Sequence, residues 1–529
     1  MLGGGVLAQL RKRLDVHADA VPPVALEHVR LPQSALSADQ IAELTQLLGP
    51  GGLTVEHAAR VRHAAGRGYM DLVRLRAGEP EGAPDAIARV GDHEQTLALL
   101  ALCAKRSIAV IPFGGGTSVV GGVAPLRGEH SAAIALDLAG LSGVHSLHRE
   151  SLSVTVGAGM RAAALERELS CFRLTLGHFP QSFEYVSLGG CAATRSAGQA
   201  STGYGRFEDL VLGLRAATPT GAIELRALPA TAAGPDLRQL MVGSEGTLGV
   251  IDRLTLRVSP APVARLYQGL LFADFESGAQ ALRRLAQEGA APTLARLSDE
   301  SETELTLRLA GTGAKQSATR LYLAARGRRE GALAIFGFEG EPDDVRRAWA
   351  HARARAREHG AISLGAGAGQ AWLASRFGAP YMRDELLTHG VMVETLETAC
   401  AWSDLHVLKR AVGEAIGGAL RDCGTPGIVG CHVSHLYATG ASLYFTFLAR
   451  MLAGEQERQW RAVKQAAGDA ILANGGTITH HHAIGADHRR WLAQEIGGVG
   501  VEALWALKRE LDPAGIMNPE KLLPALRLP

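Results

Sequence analysis

The residues best able to do chemistry lie in a few short runs of unusual composition. Ile111-Pro112-Phe113-Gly114-Gly115-Gly116-Thr117-Ser118 sets three glycines directly after an apolar, strand-like run. Without Cβ atoms such a turn can take positive φ and gather successive backbone N–H groups around an anion, for which pyrophosphate is the natural guest. An ordinary tight loop uses the same residues, so the company decides. No Gly-Lys-Ser/Thr follows to make a P-loop, and no G-x-G-x-x-G opens an amphipathic helix, which removes the kinase and nicotinamide readings. Three further small-residue stretches carry backbone and hydroxyl donors suited to an extended polyhydroxylated ligand. They contain Gln181, Ser182, Glu184, Ser187, Gly189 and Gly190, then Thr194, Arg195, Ser196, Ala197 and Gly198, then Glu245, Gly246, Thr247, Gly249, Val250 and Ile251. His480-His481-His482 is the other unusual run, and imidazoles suit phosphate binding or proton transfer. In an extended chain its rings would alternate between faces and could not readily share one ion, so no metal is assigned. Tyr437 and Tyr444 compete for an acid/base role, and His178 beside the second loop is a weaker candidate, a core role being as good a reading.

These runs need elements to hold them. From Ile87 short apolar strands alternate with helical windows: a strand at 87–90, a helix over 94–105, the strand into the glycine loop at 107–113, strands at 133–138 and 152–156, and a helix over 161–169. Strands at 210–217 and 249–258 complete the block, and Pro260-Ala261-Pro262 marks a boundary. Four divisions follow: a helical N-terminal extension over 1–80, read as an appendage; a ligand-binding domain over 81–260; a second α+β domain over 261–450; and a C-terminal segment over 451–529, with a helix near 455–474 and a last helix stopped by Asp512-Pro513. The fold class is α+β.

The 47% hydrophobic and 20% charged residues allow a packed core and give no case for disorder. A formal charge of +1 provides no field for drawing in nucleic acid. Six scattered cysteines without a C-x-x-C pair read as reduced, buried thiols, and the chain shows neither an export signal nor an apolar run of membrane-spanning length. A cytoplasmic protein, in peripheral contact with a membrane at most, is expected.

In order, PFGGGTSVVGG, GGCAATRSAG, GSEGTLGVI and DPAGIMNPEK resemble the FAD-binding flavoproteins of the vanillyl-alcohol oxidase type, also called PCMH-type. Within that group RHAAGRGYMDLVRLRAG, GHFPQSFEYVSLGG, YMRD and THHHAIG are most similar to the alkyldihydroxyacetonephosphate synthases. The resemblance implies a two-subdomain FAD-binding domain with a cap domain. It also implies FAD held noncovalently, because the glycine loop has no tethering histidine. By the same resemblance Tyr444, in Leu443-Tyr444-Phe445, handles the proton with His481 or His482 in support, Arg383 clamps a substrate phosphate, and Arg296 is a second substrate-binding arginine. The implied reaction exchanges the acyl chain of an acyl-dihydroxyacetone phosphate for a fatty alcohol through bonding at the flavin N5. The expected partners are a lipid-like phosphate substrate and a second copy of the chain in a homodimer. The alternative is an FAD-dependent 2-hydroxy-acid dehydrogenase or oxidase, which the DPAGIMNP ending also suits. The metal motif of those enzymes is replaced here by Cys431-His432-Val433-Ser434-His435, without its acidic residue. A flavin-binding protein without activity is a third reading.

Overall fold

The computed structural model describes residues 4–309 and 330–525. The chain divides into two compact units, one of Pro23–Gly198, Gly205–Pro260 and His481–Pro529, the other of Met1–Pro22, Gln199–Tyr204 and Ala261–His480.

The first unit begins with strands β1 (Leu53–Thr54), β2 (Ala86–Arg89), β3 (Ile108–Phe113) and β4 (Ala132–Asp137). They form one sheet in the order β1-β2-β4-β3, in which β4 runs parallel to both its neighbours. β2 and β3 thus run parallel on either side of β4, and the helix His93–Arg106 is the crossover that joins them. Asp92 caps that helix by accepting from the Gln95 N–H, and Leu99, Leu100 and Cys103 give it a buried stripe. Next come β5 (Val144–His148), β6 (Ser153–Gly157), β7 (Leu174–Thr175), β8 (Val211–Thr218), β9 (Gly221–Leu225), β10 (Val250–Arg257) and β11 (Ser259–Pro260). Five of these make an antiparallel sheet in the order β5-β6-β10-β8-β9, while β7 and β11 pair separately.

The N-terminal region is helical but is no appendage. Leu36, Leu44 and Leu48 sit in the core with Ala86, Ile134 and Met517, and β1 extends the first sheet. The opening helix, Gly4–Arg13, and the turn after it instead put Leu10 and Leu14 into a cluster with Leu386, Val391 and Leu448 of the second unit.

The second unit is built on β12 (Ala264–Phe272), β13 (Leu294–Ser298), β14 (Ala332–Gly340), β15 (Ile362–Gly365), β16 (Val391–Ala401), β17 (Ile428–Leu436) and β18 (Gly440–Arg450). They form a seven-stranded sheet in the order β15-β12-β14-β13-β17-β18-β16. The helix Leu405–Asp422 buries Leu405, Leu408, Val412, Ile416 and Leu420, spaced to form a single stripe down one face. The segment 451–529, read as one piece, is shared: the helix Gln456–Ala473 lies in this unit and everything from His481 on in the other. All six cysteines are free; Cys103, Cys191 and Cys431 are buried as expected, whereas Cys171 is exposed. Among the described residues no helix is long and apolar enough to cross a membrane.

Candidate active site

In the first unit β3 delivers the chain into the glycine loop, and the loop leaves its main chain unsatisfied. No N–H from Gly114 to Val119 finds an acceptor among the described residues, although Gly116 is buried and the rest of that run is half-buried. Buried backbone donors are nearly always paired, so a row of open amides marks a place for an anion. Gly116 has a φ of +64°, the left-handed turn that lets the run curl. At Gly115 a Cβ would overlap the Tyr185 carbonyl and come within 3.0 Å of the Val186 Cα, so the loop lies directly on the second small-residue stretch.

The other predicted cofactor residues converge on it. Ser187 caps the short helix Leu188–Ala193, which contains Gly189 and Gly190. The Glu245 N–H donates to the Ala193 carbonyl at 2.9 Å and the Gly243 N–H to that of Ala192 at 3.0 Å, which joins the last stretch to the second. A Cβ at Gly246 would stand 2.9 Å from the Pro112 ring, which joins the last stretch to β3. Thr194 bonds back to its own helix, and Arg195 reaches the Gln239 carbonyl at 2.8 Å. Phe113, Ser196, Ala197, Gly198, Thr247, Gly249, Val250 and Ile251 are buried, Pro112, Thr117, Ser118 and Ser182 are half-buried, and Gln181 and Glu184 are exposed.

Glu245 works inside the protein. Its carboxylate accepts from the Ile484 and Gly485 N–H groups at 2.8 and 2.7 Å, and burial pushes its pKa up to about 7. The DPAGIMNP segment buttresses β3: Asn518 and Ile516 bond Val110 through the backbone, and the Asn518 side chain reaches the Gly122 and Glu245 carbonyls. Lys508 locks that segment by bonding Asp512 and the Thr247 and Met517 carbonyls. His178 is fully buried, with Nε2 3.1 Å from the Ser196 hydroxyl and Nδ1 unpartnered, and burial drives its pKa down to about 3, so it is neutral. His481 and His482 are half-buried with ring centroids 4.7 Å apart. Their segment is a bend with Ala483 at φ +75°, not the extended chain that would alternate the rings.

In the second unit the register of the sheet makes the site. Ser298 on β13 pairs with His432 on β17, His432 with Tyr444 on β18, and Tyr444 with Glu397 on β16. Directly opposite residues of antiparallel strands share a face, so these side chains stand in one row. Tyr444 is stacked on His432, ring centroids 4.9 Å apart and 22° from parallel. Burial pushes its phenol up to about 12; Thr395 and Arg383 oppose the shift and Glu397 and Glu394 add to it. At neutral pH Tyr444 is therefore a proton donor, and removing a proton is not a task its resting state can perform.

Glu397 carries no signal in the sequence that singles it out. It accepts from the Thr479 hydroxyl and the His480 N–H, both at 2.7 Å, and so fixes the buried His480, whose Nε2 lies 2.5 Å from the Tyr437 hydroxyl. The two tyrosines thus divide: Tyr437 engages His480, and Tyr444 stacks on His432. Arg383, on the helix Ala379–Thr388, keeps a buried Nε without a partner, the state expected of an anion clamp. Arg296 is already engaged, 2.6 Å from Glu302 and 3.1 Å from His432 Nδ1, which leaves its charge matched by a carboxylate rather than open to a phosphate.

The amino-acid pattern of residues 84–225 matches the FAD binding domain, and that of residues 261–522 the C-terminal domain of FAD-linked oxidases. An alkyldihydroxyacetonephosphate synthase of Dictyostelium discoideum is 31% identical over 96% of this chain and 84% of its own length. The chain belongs to the alkyldihydroxyacetonephosphate synthase family of FAD-linked flavoproteins. A synthase of this name from Trypanosoma brucei brucei is 31% identical over 94% of this chain and 82% of its own. A solved alkyldihydroxyacetonephosphate synthase structure superposes with a TM-score of 0.83 at 30% identity, covering 97% of this chain and 90% of the other. The fold is the PCMH type and FAD is the cofactor of this family's binding domain.

Proposed function

We propose that this protein is an alkyldihydroxyacetonephosphate synthase-type transferase, which exchanges the acyl chain of an acyl-dihydroxyacetone phosphate for a fatty alcohol and so forms an ether bond. The observation that carries the reading is that the 31% identity with a synthase extends over 96% of the chain, through both units rather than the FAD-binding part alone. The residues present suit the cofactor. The open amides of Gly114–Val119 match a diphosphate, and the stretches around Ser187, Ser196 and Thr247 match the remainder of a noncovalently held FAD. What FAD supplies when bound is a reversible attachment point for the substrate carbon, with no net electron transfer.

The chain's own side chains divide the remaining work. Arg383 clamps the phosphate through the guanidinium whose Nε is left open. Tyr444, protonated at neutral pH, donates to the departing acyl oxygen. Glu397 and Tyr437 hold His480 in place, while His481, His482 and the neutral His178 provide further imidazoles in the first unit. A lipid-like substrate brings with it peripheral membrane contact, and a homodimer is the assembly we expect.

The test is turnover with acyl-dihydroxyacetone phosphate and a long-chain alcohol, followed by mass spectrometry of the ether product and of the released acid. Equal amounts of both, with the flavin absorbance unbleached, are expected. Anaerobic bleaching by lactate or glycolate without any ether product would replace the reading with a hydroxy-acid dehydrogenase.

A further inference from the structure

The exchange of an ester oxygen for an alcohol oxygen moves one proton, and Tyr444 can serve only one end of that transfer. The alcohol loses the proton on its oxygen as that oxygen bonds to carbon; the departing acid can take one up. A phenol that rests protonated suits the second event. The first needs an acceptor on the same face of the sheet.

His432 has the geometry of one. Its Cα partner across the strands is Tyr444, and the two rings stack at 4.9 Å, so the side chains leave the sheet together. Every hydrogen-bond contact of His432 falls on Nδ1: both Glu302 carboxylate oxygens and the Arg296 guanidinium lie 3.1 Å from it. Nε2 has no partner among the described residues. Glu302 is carried by the helix Glu300–Leu309, and a Cβ on Gly430, two residues before His432, would stand 3.0 Å from the Glu302 Cβ, so a strand without a side chain there lets the helix settle close. An ionised carboxylate only accepts and a guanidinium only donates, so the two contacts ask opposite things of Nδ1; Arg296 has its nearer acceptor in Glu302 at 2.6 Å, so Glu302 accepts from the Nδ1–H and the Nε2 lone pair stays open. We propose that the Glu302–His432 pair is the proton acceptor of this site: Nε2 takes the alcohol's proton while Tyr444 gives one to the departing acid.

The step balances without an oxidant or reductant. The O–H electron pair stays on the alcohol oxygen and becomes the new C–O bond; the old C–O pair leaves with the acid. The proton gained by Nε2 replaces the one given by Tyr444, and its return to the phenol resets the pair. Several groups face His432. Burial and Arg296 favour its neutral form, Glu302 and Asp299 favour the imidazolium, and Asp299 is itself matched by Lys409 at 3.1 Å. Against the upward push of burial, His432 and Arg296 hold the Glu302 carboxyl down at about 2, so it remains ionised at working pH. Arg296 on this account is a positioning residue that acts through Glu302.

The inference rests on the proposed transferase reading for its substrate, but not for its geometry, and the experiment separates the two. In the flavin-loaded full chain labelled with ¹⁵N-histidine, the resonances that vanish in H432N are expected to show the Nδ1–H tautomer, and E302Q should release it toward Nε2–H. In steady-state turnover H432N should retain flavin and KM but lose about a hundredfold in kcat. It should also lose the acid limb of the pH profile, which reports protonation of Nε2. E302Q should move that limb to lower pH, because a charge favouring the imidazolium has gone. An Nε2–H tautomer in the wild type, or an H432N enzyme with kcat and acid limb intact, would overturn the proposal. A wild-type chain that makes no ether would sink the transferase reading, while the tautomer would still decide the Glu302–His432 pairing.

Discussion

The glycine loop and the Tyr444 row differ in which part of the chain supplies their chemistry. In the loop it is the main chain: amides from Gly114 to Val119 stand open, and the surrounding loops serve chiefly to press them into shape. In the row it is side chains placed by strand register, with Ser298, His432, Tyr444 and Glu397 brought abreast from strands far apart in the sequence. The contrast implies opposite tolerances. A backbone-built site is broken by adding atoms and is indifferent to most functional groups. A register-built site accepts changes of shape and is broken by the loss of one functional atom.

The largest effect should come from Gly115→Val in the loop. The new side chain would overlap the Tyr185 carbonyl, and the expected outcome is loss of bound flavin or of soluble protein, read from the yellow absorbance of the purified chain. Full flavin occupancy in that variant would show that the loop amides do not hold the cofactor. Tyr444→Phe should do the reverse: flavin retained, Tm little changed, and turnover down by roughly two orders of magnitude or more. Unaltered turnover would show that the row does not carry the proton and would send attention to Tyr437.

Glu245→Gln should have the smallest effect, on stability alone. A carboxyl whose folded pKa is raised to about 7 binds its proton more tightly in the folded chain than in the unfolded one. Wild-type stability should therefore fall as pH rises from about 4.5 to about 7, by at most roughly 3 kcal/mol, and be flat with respect to this group beyond. The difference in Tm between wild type and the glutamine variant should follow that window. An equal pH dependence in both would show that Glu245 is not the group responsible.

The same contrast explains what could be read in the amino-acid order. The strand into the loop, its crossover helix and the small-residue stretches were all visible, because glycine punctuation and apolar runs are local signals; β3 and the helix His93–Arg106 lie within a residue of their expected places. The seven-stranded sheet was only half visible. β12 and β14 announce themselves as apolar runs, but β16, Val391–Ala401, carries Glu394 and Glu397 buried at 4% and 2% exposure, and carboxylates in a strand hide the alternation that would reveal it. His432 was seen only as part of a failed metal motif, and Glu302 not at all. Their pairing depends on a helix reaching across β17, which no spacing in the sequence encodes. Arg296, expected from the resemblance to bind substrate, has in Glu302 a carboxylate partner that the spacing of the sequence does not encode.

Asn518 ties its segment to Val110 of β3, to Gly122 and to Glu245, all formed far earlier in the chain, and Lys508 ties it to Thr247. During synthesis, the nucleotide-holding unit therefore stays unfinished until Asn518 has left the ribosome. Flavin capture must wait for that contact, and a chain cut before Lys508 should be colourless.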